Sequence, residues 1–289
     1  MATVAEPNGV IHDIGYRRYD GPRLGRWYAV RSLYLHGVRT AFGLGRSGKA
    51  KVFPWLVAGI VTLVAAIFTA VRSQVGQVVV SYVQFPQSMT VLILMFSAVV
   101  APELVSRDLR SGVLPLYFSR PLHRGDYAMA KLAALVTATW LLIAGPQLLM
   151  FLGGVFSVDS IGKVWDEVGD FLPGLAYSFI YAAVYASIAL LVASLASRRA
   201  VAAAVVVAVF LVTTPVVGVL SLAPSETVRQ LASLASPTTL VGGVGDWLFR
   251  PGDGSSGIGD FGPLYGAVTL GVVAACVALL VLRYRKVAQ

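Results

Sequence analysis

The chain has 289 residues, 57% of them apolar and 13% charged, with 29 glycines and a mean hydropathy of +0.76. Soluble domains carry about 25% charged residues, so this composition excludes an ordinary cytosolic enzyme and a disordered chain, and the single cysteine, Cys276, excludes a disulfide scaffold. The net charge of +9 is read as basic cytoplasmic loops facing anionic lipid, not as a surface for nucleic acid.

Residues 1–53 are polar and basic and are read as a cytoplasmic tail without a cleavable leader. Within 24–46, Trp27, Val30, Tyr34, Val38, Ala41 and Phe42 share one face of a helical wheel, opposite Arg26, Ser32, His36 and Arg39. The pattern predicts an interfacial helix along the cytoplasmic leaflet, contacting lipid, with Arg31 snorkelling. A helix packed on a soluble partner is the alternative. Gly43 to Lys49 matches GxxxxGK, but Ala50 stands where a phosphate-binding loop needs a Mg²⁺-holding hydroxyl, and a predicted helix precedes it instead of a strand. It is read as a flexible basic connector.

Six apolar stretches can cross ~30 Å of hydrocarbon, near 54–71, 85–102, 132–153, 171–196, 200–223 and 264–282, and none contains Asp, Glu, Lys, Arg or His. Their continuous hydrophobicity predicts helices and not barrel strands. The fold class is thus an all-α polytopic membrane protein with a 54–282 transmembrane domain and a short tail, 283–289. With these spans, nineteen basic residues fall on one side, against Arg72, Lys163, Arg229 and Arg250 on the other. That split predicts both termini in the cytoplasm.

Loop 103–131 carries Glu103, Arg107, Asp108 and Arg110 before Gly112. Pro102 suits the first turn of a short, separate charged helix, Gly112 its stop, and Asp126 the cap of the next helix. A solvated loop bearing topogenic arginines is the competing reading. Outer loop 154–170 holds Asp159, Asp166, Glu167 and Asp170, read as a solvated acidic rim. Outer loop 224–263 predicts a short interfacial or re-entrant helix pair over Glu226 to Leu240, then a mobile turn over Gly252 to Gly259. Gly145-Pro146 and Pro215 are candidate kinks, for gating or simply for packing. Small residues recur every fourth position at Ala200, Ala204, Ala208 and at Ala267, Gly271, Ala275, allowing close helix approach.

No metal-ligand spacing, Gly-x-Ser-x-Gly or HExxH motif stands in the sequence. Ion-coupled transporters keep ionisable groups at bilayer depth, and these spans offer only hydroxyls, Gln87 and Gln147 as polar groups. The six-span plan with an N-terminal interfacial helix resembles permease subunits of ABC-2 type exporters. The resemblance rests on Glu103, Arg107, Asp108, Gly112, Ser119, Pro121 and Lys131, while Tyr16 to Arg23 looks like the head of actinobacterial members. Many relatives have Gly-Thr-Leu-Glu where this chain has Gly112-Val113-Leu114-Pro115. The resemblance implies no catalytic, cofactor or metal site here, ATP and Mg on partner ABC ATPase subunits, and a second permease copy or paralogue. It assigns Glu103, Arg107, Asp108, Arg110 and Gly112 to the ATPase-coupling interface. A non-transporting membrane scaffold or sensor is the alternative.

Overall fold

Hydrocarbon offers no partner to an open amide or carbonyl, so a chain this apolar must close its backbone bonds within helices. The computed structural model describes residues 21, 24–110, 112, 117, 122–158, 160–196, 198–249 and 257–286, without the side chains of 107, 109 and 110, and no strand occurs among them. The helices are α1 (Arg26–Ala41), α2 (Gly48–Val75), α3 (Gln84–Ser88), α4 (Thr90–Arg110), α5 (Arg124–Phe156), α6 (Ile161–Leu195), α7 (Arg199–Leu220), α8 (Glu226–Leu231), α9 (Pro237–Phe249) and α10 (Gly262–Lys286). Five helical segments, α2, α5, α6, α7 and Gly259–Lys286, are long and apolar enough to cross a membrane, and Thr90–Ser106 of α4 is a shorter apolar segment. Helix α6 is the axis: 67% of its apolar window is buried, against 17% for α7 on the perimeter.

Helix α4 differs from expectation. It runs unbroken through Pro102, so the charged residues extend the apolar segment instead of forming a separate helix. Proline costs one backbone hydrogen bond, but Val100, Ala101, Leu104 and Val105 are buried on both sides of it and hold the axis. Gly112 follows at φ +63, a left-handed stop suited to glycine. The cap of α5 is also shifted: the helix starts at Arg124, and Asp126 accepts from the backbone N–H of His123 at 3.2 Å from the third helical position. Helices α5 and α7 continue through Pro146 and Pro215.

Helix α1 lies against α5 and α4 with Leu33, Gly37 and Ala41 buried. A Cβ at Gly37 would stand 2.6 Å from that of Ala134, so glycine sets this close approach. The single predicted apolar stripe is in fact two neighbouring faces. Tyr34 and Phe42 pack inward, Tyr34 donating to Thr137 at 3.0 Å. Trp27 is 80% exposed and, with Leu24, Tyr28 and Leu35, forms an outer apolar face. The following connector is not loose. Gly43 and Gly45 adopt left-handed backbones, and the Leu44 N–H returns to the Arg39 carbonyl at 2.7 Å.

At the opposite end, Glu167 corrects the reading of a solvated acidic rim. It is buried on α6, accepting both guanidinium nitrogens of Arg72 at 2.7 and 2.6 Å and the hydroxyl of Tyr82. Its position in the first turns of α6, facing the ends of α2 and α5, explains the burial. Asp166 and Asp170 are exposed, and Asp159 lies outside the described residues. The glycines of the outer loop also proved structural. Helix α9 extends through Gly242, Gly243 and Gly245, and Cβ atoms at Gly243 and Gly245 would meet the rings of Tyr265 and Tyr177 at 2.5 and 2.7 Å. Much of the turn expected at Gly252 to Gly259 falls outside the described residues.

Removing one member of a buried ion pair leaves the other charge uncompensated, at about 3–5 kcal/mol. Glu167→Ala is therefore expected to lower thermal stability in detergent sharply, and the double variant Arg72→Met/Glu167→Leu to recover most of the loss. Equal melting temperatures for Glu167→Ala and the parent would show that the pair holds nothing.

Candidate functional site

Charges accumulate where helices leave the apolar layer, and at the Glu103 end five elements bring theirs together. Glu103, near the C-terminus of α4, accepts from Arg46 of the α1–α2 turn at 2.6 Å and from Arg199 at the start of α7. One carboxylate thus ties three elements that are far apart in sequence. The geometry favours it: Glu103 has two oxygens, and each guanidinium takes a different one.

One helical turn further on, Asp108 accepts from Lys131 of α5 at 2.9 Å and from the hydroxyl of Tyr127 at 2.7 Å. Lys131 is only 4% exposed, and its ammonium also stands 5.4 Å from the Tyr127 ring centre. The Tyr127 ring meets that of Tyr284 at 5.0 Å, which brings α10 into the cluster. On the flank, Arg26 of α1 makes two 2.6 Å bonds to Asp126 of α5. Between α1, the turn and the ends of α4 and α5 lies a polar recess of about 600 Å³ lined by Arg39, Arg46, Glu103, Asp108 and Lys131, among others.

The structure thus brings Glu103 and Asp108 to one place but gives each a partner within the chain. Arg107 and Arg110 belong to the last turns of the same helix, and Gly112 ends it. Sequence reasoning missed Arg46, Arg199, Tyr127 and Lys131 as partners of the two acids. Lys131 stands one residue before the expected span 132–153 and reads as a loop lysine in the sequence, whereas α5 begins at Arg124 and buries it. Trp27 lies on the outer face of α1, next to Arg26, and Tyr34 and Phe42 lie on its inner face. Gly145, Pro146 and Pro215 are set deep in α5 and α7, away from this collar.

The cost of losing each acid should follow burial. Asp108→Ala strands a buried ammonium and is expected to destabilise the protein by about 3 kcal/mol. Glu103→Ala releases two partly exposed guanidiniums and should cost about 1–2 kcal/mol. Melting curves in detergent read both, and the reverse order would contradict the assigned roles.

A family model described as ABC-2 family transporter protein matches residues 59–285. No curated protein matches the chain.

Proposed function

The chain belongs to the ABC-2 transporter family and is a multi-pass membrane transport protein, and from that premise we propose that it is the permease subunit of an ATP-driven exporter. In this reading ATP and Mg are bound and consumed on separate cytoplasmic ABC ATPase subunits. Two permeases, alike or different, pair to form the substrate path. Six crossings, with α3 and α4 together supplying the second, leave both termini and the Glu103 collar in the cytoplasm. The basic residues gathered at that end support this orientation.

One observation carries the proposal. The ionisable side chains described within the long helices stand near their ends, in pairs such as Asp108–Lys131 and Arg72–Glu167, so the apolar middle holds no ion-driven engine. Force must then enter through a cytoplasmic surface. The connection between α6 and α7 spans only 196–198, whereas that between α4 and α5 spans 111–123. An ATPase docked there would act on α4 directly, and Glu103 and Asp108 would pass its displacement to the α1–α2 turn, α5 and α7. In this reading Arg107, Arg110 and Gly112 meet the ATPase, with Glu103 and Asp108 anchoring the helix through their bonds to Arg46, Arg199 and Lys131.

Copurification with a soluble ATPase is the direct test, and a permease that never retains one would favour the scaffold reading. Arg107→Ala is expected to preserve expression and insertion while weakening ATPase pull-down or uncoupling hydrolysis from transport. Parent-like behaviour in both assays would remove this helix from the interface. Lys49→Ala, in the P-loop-like turn, should leave ATPase activity of the assembled complex within about twofold, or ~0.4 kcal/mol in barrier terms. A hundredfold loss, about 2.7 kcal/mol, would assign nucleotide chemistry to this chain.

Orientation is tested separately. Reporter fusions at Ser160 and Ser255 should read as external and one at Gln289 as cytoplasmic. An external reading at Gln289 would break the six-crossing scheme.

A further inference from the structure

Two recesses meet beside α1. The polar one, about 600 Å³, is lined by Arg39, Gly45, Arg46 and Lys131 together with the two collar acids. A second, about 450 Å³, is lined by Leu24, Tyr28, Leu33 and Leu122. His36 and Tyr117 line both, so the two are halves of one trough, apolar at the Leu24 end and charged at the Arg46 end.

Cations outnumber acids at the charged end. Glu103 is compensated twice, by Arg46 and Arg199, and Asp108 by Lys131. Arg39 is exposed and has no ion pair among the described residues. Four cations thus stand against two acids. The undescribed side chains adjoining on the chain include Arg107, Arg110 and Arg120, and between Gly112 and Leu122 there is no acid.

Hydrogen-bond donors are in surplus as well. A guanidinium carries five N–H donors, and Arg46 reaches Glu103 through Nη1 alone. Thr40 offers no donor, because its one hydrogen goes to the His36 carbonyl at 2.8 Å. Gly45 lies in the turn marked by the GxxxxGK pattern and has a left-handed backbone, φ +78. Its N–H makes no hydrogen bond among the described residues, and a Cβ there would meet nothing within 4 Å. Backbone N–H groups of such turns form concavities that receive anions. With Ala50 in place of the Mg²⁺-holding hydroxyl, this turn suits a phosphate that needs no metal.

We propose that the trough binds one anionic phospholipid. Its phosphate takes Arg39, Arg46 and the Gly45 N–H, and an acyl chain runs along Leu24, Tyr28, Leu33 and Leu122. The exposed Trp27 and Tyr28 beside it set this part of α1 where headgroups meet chains. A free phosphate would use the same donors and leave the apolar half unfilled, whereas a phospholipid fills both. Binding needs no ATPase, so this inference and the transport reading fail separately.

The test uses the full-length permease in phosphatidylcholine nanodiscs containing phosphatidylglycerol with a diazirine on one acyl chain. A diazirine phosphatidylcholine is the zwitterionic control, and cross-linked peptides are mapped by mass spectrometry. The anionic probe should label 24–36 saturably and yield to unlabelled phosphatidylglycerol, whereas the zwitterionic probe should not saturate there. Loss of a charge-assisted hydrogen bond predicts a fall in affinity of about tenfold for Arg39→Gln. Lys163→Gln, which removes an exposed charge at the far end, should bind like the parent. Melting temperatures check that both variants fold. Equal saturable labelling by the two probes would overturn the proposal, and so would parent-like affinity in folded Arg39→Gln. Equal losses in Arg39→Gln and Lys163→Gln would reduce the binding to diffuse surface charge and overturn it too. Displacement of the probe by millimolar inorganic phosphate at constant ionic strength would assign the donors to free phosphate and overturn the lipid.

Discussion

The polar groups buried in this molecule answer to one constraint, that hydrocarbon supplies no hydrogen-bond partner, with the hydroxyls of Ser97, Thr139 and Tyr284 as exceptions. The backbone meets it by remaining helical across prolines at 54, 102, 146, 173 and 215. Side chains meet it by bonding to one another. Gln147 donates to the Tyr82 carbonyl at 2.7 Å and accepts from Ser178 at 2.9 Å, so a buried amide is paired on both sides. Tyr177 accepts from Gln87 and donates to the Val241 carbonyl. These bonds reach from α6 to α3, α5 and α9. The same pairs that satisfy polarity therefore fix the arrangement of helices around α6.

Apolar attraction does not separate helix–helix from helix–lipid contact, since lipid tails are as apolar as leucine. Close approach has to supply the difference through dispersion. Gly37 against Ala134, Gly174 against Tyr82 and Gly243 against Tyr265 are places where a Cβ would not fit. By contrast, Ala204 and Ala208 of α7 and Ala267 and Gly271 of α10 are exposed. Their small-residue stripes are not used within this chain, whereas Ala189 and Ala193 of α6 are buried in it.

The apolar runs were legible because hydrophobicity is a local property: helices long and apolar enough to cross a membrane lie over five of the six expected spans, while the expected second span, 85–102, is divided between α3 and α4 at Met89. The N-terminal helix was legible for the same reason, its periodicity surviving in Tyr34 and Phe42. Pairing was not. Nothing local tells Glu103 that Arg46 and Arg199 will be its neighbours, because those contacts exist only once α1, α4 and α7 have packed. Glu167 read as solvated because acids in polar loops usually are, and its burial depends on Arg72 arriving from α2. Gly243 and Gly245 act through close contacts inside the bundle, which only the packed rings of Tyr265 and Tyr177 reveal. Tyr177, Tyr181 and Tyr185 stand at helical spacing on α6, where Tyr177 meets Gln87, and Tyr181 meets Thr90 and Tyr185.

The two ends of the bundle are built on different mechanics. At the Arg72–Glu167 end the ion pair is buried beneath Tyr82 and against Gly154, so moving it means separating charges in a low dielectric. At the collar, Glu103 and its two arginines are partly exposed, and such bonds exchange readily with water. Asp108–Lys131 is the exception there, fastening α4 to α5 as one body. A displacement of α4 would thus carry α5 with it while the Glu103 contacts to the α1–α2 turn and α7 re-form at a new register. In the proposed transport reading, the exchangeable contacts of Glu103 would lie beside the surface where an ATPase pushes, and the buried Arg72–Glu167 pair would resist displacement at the far end.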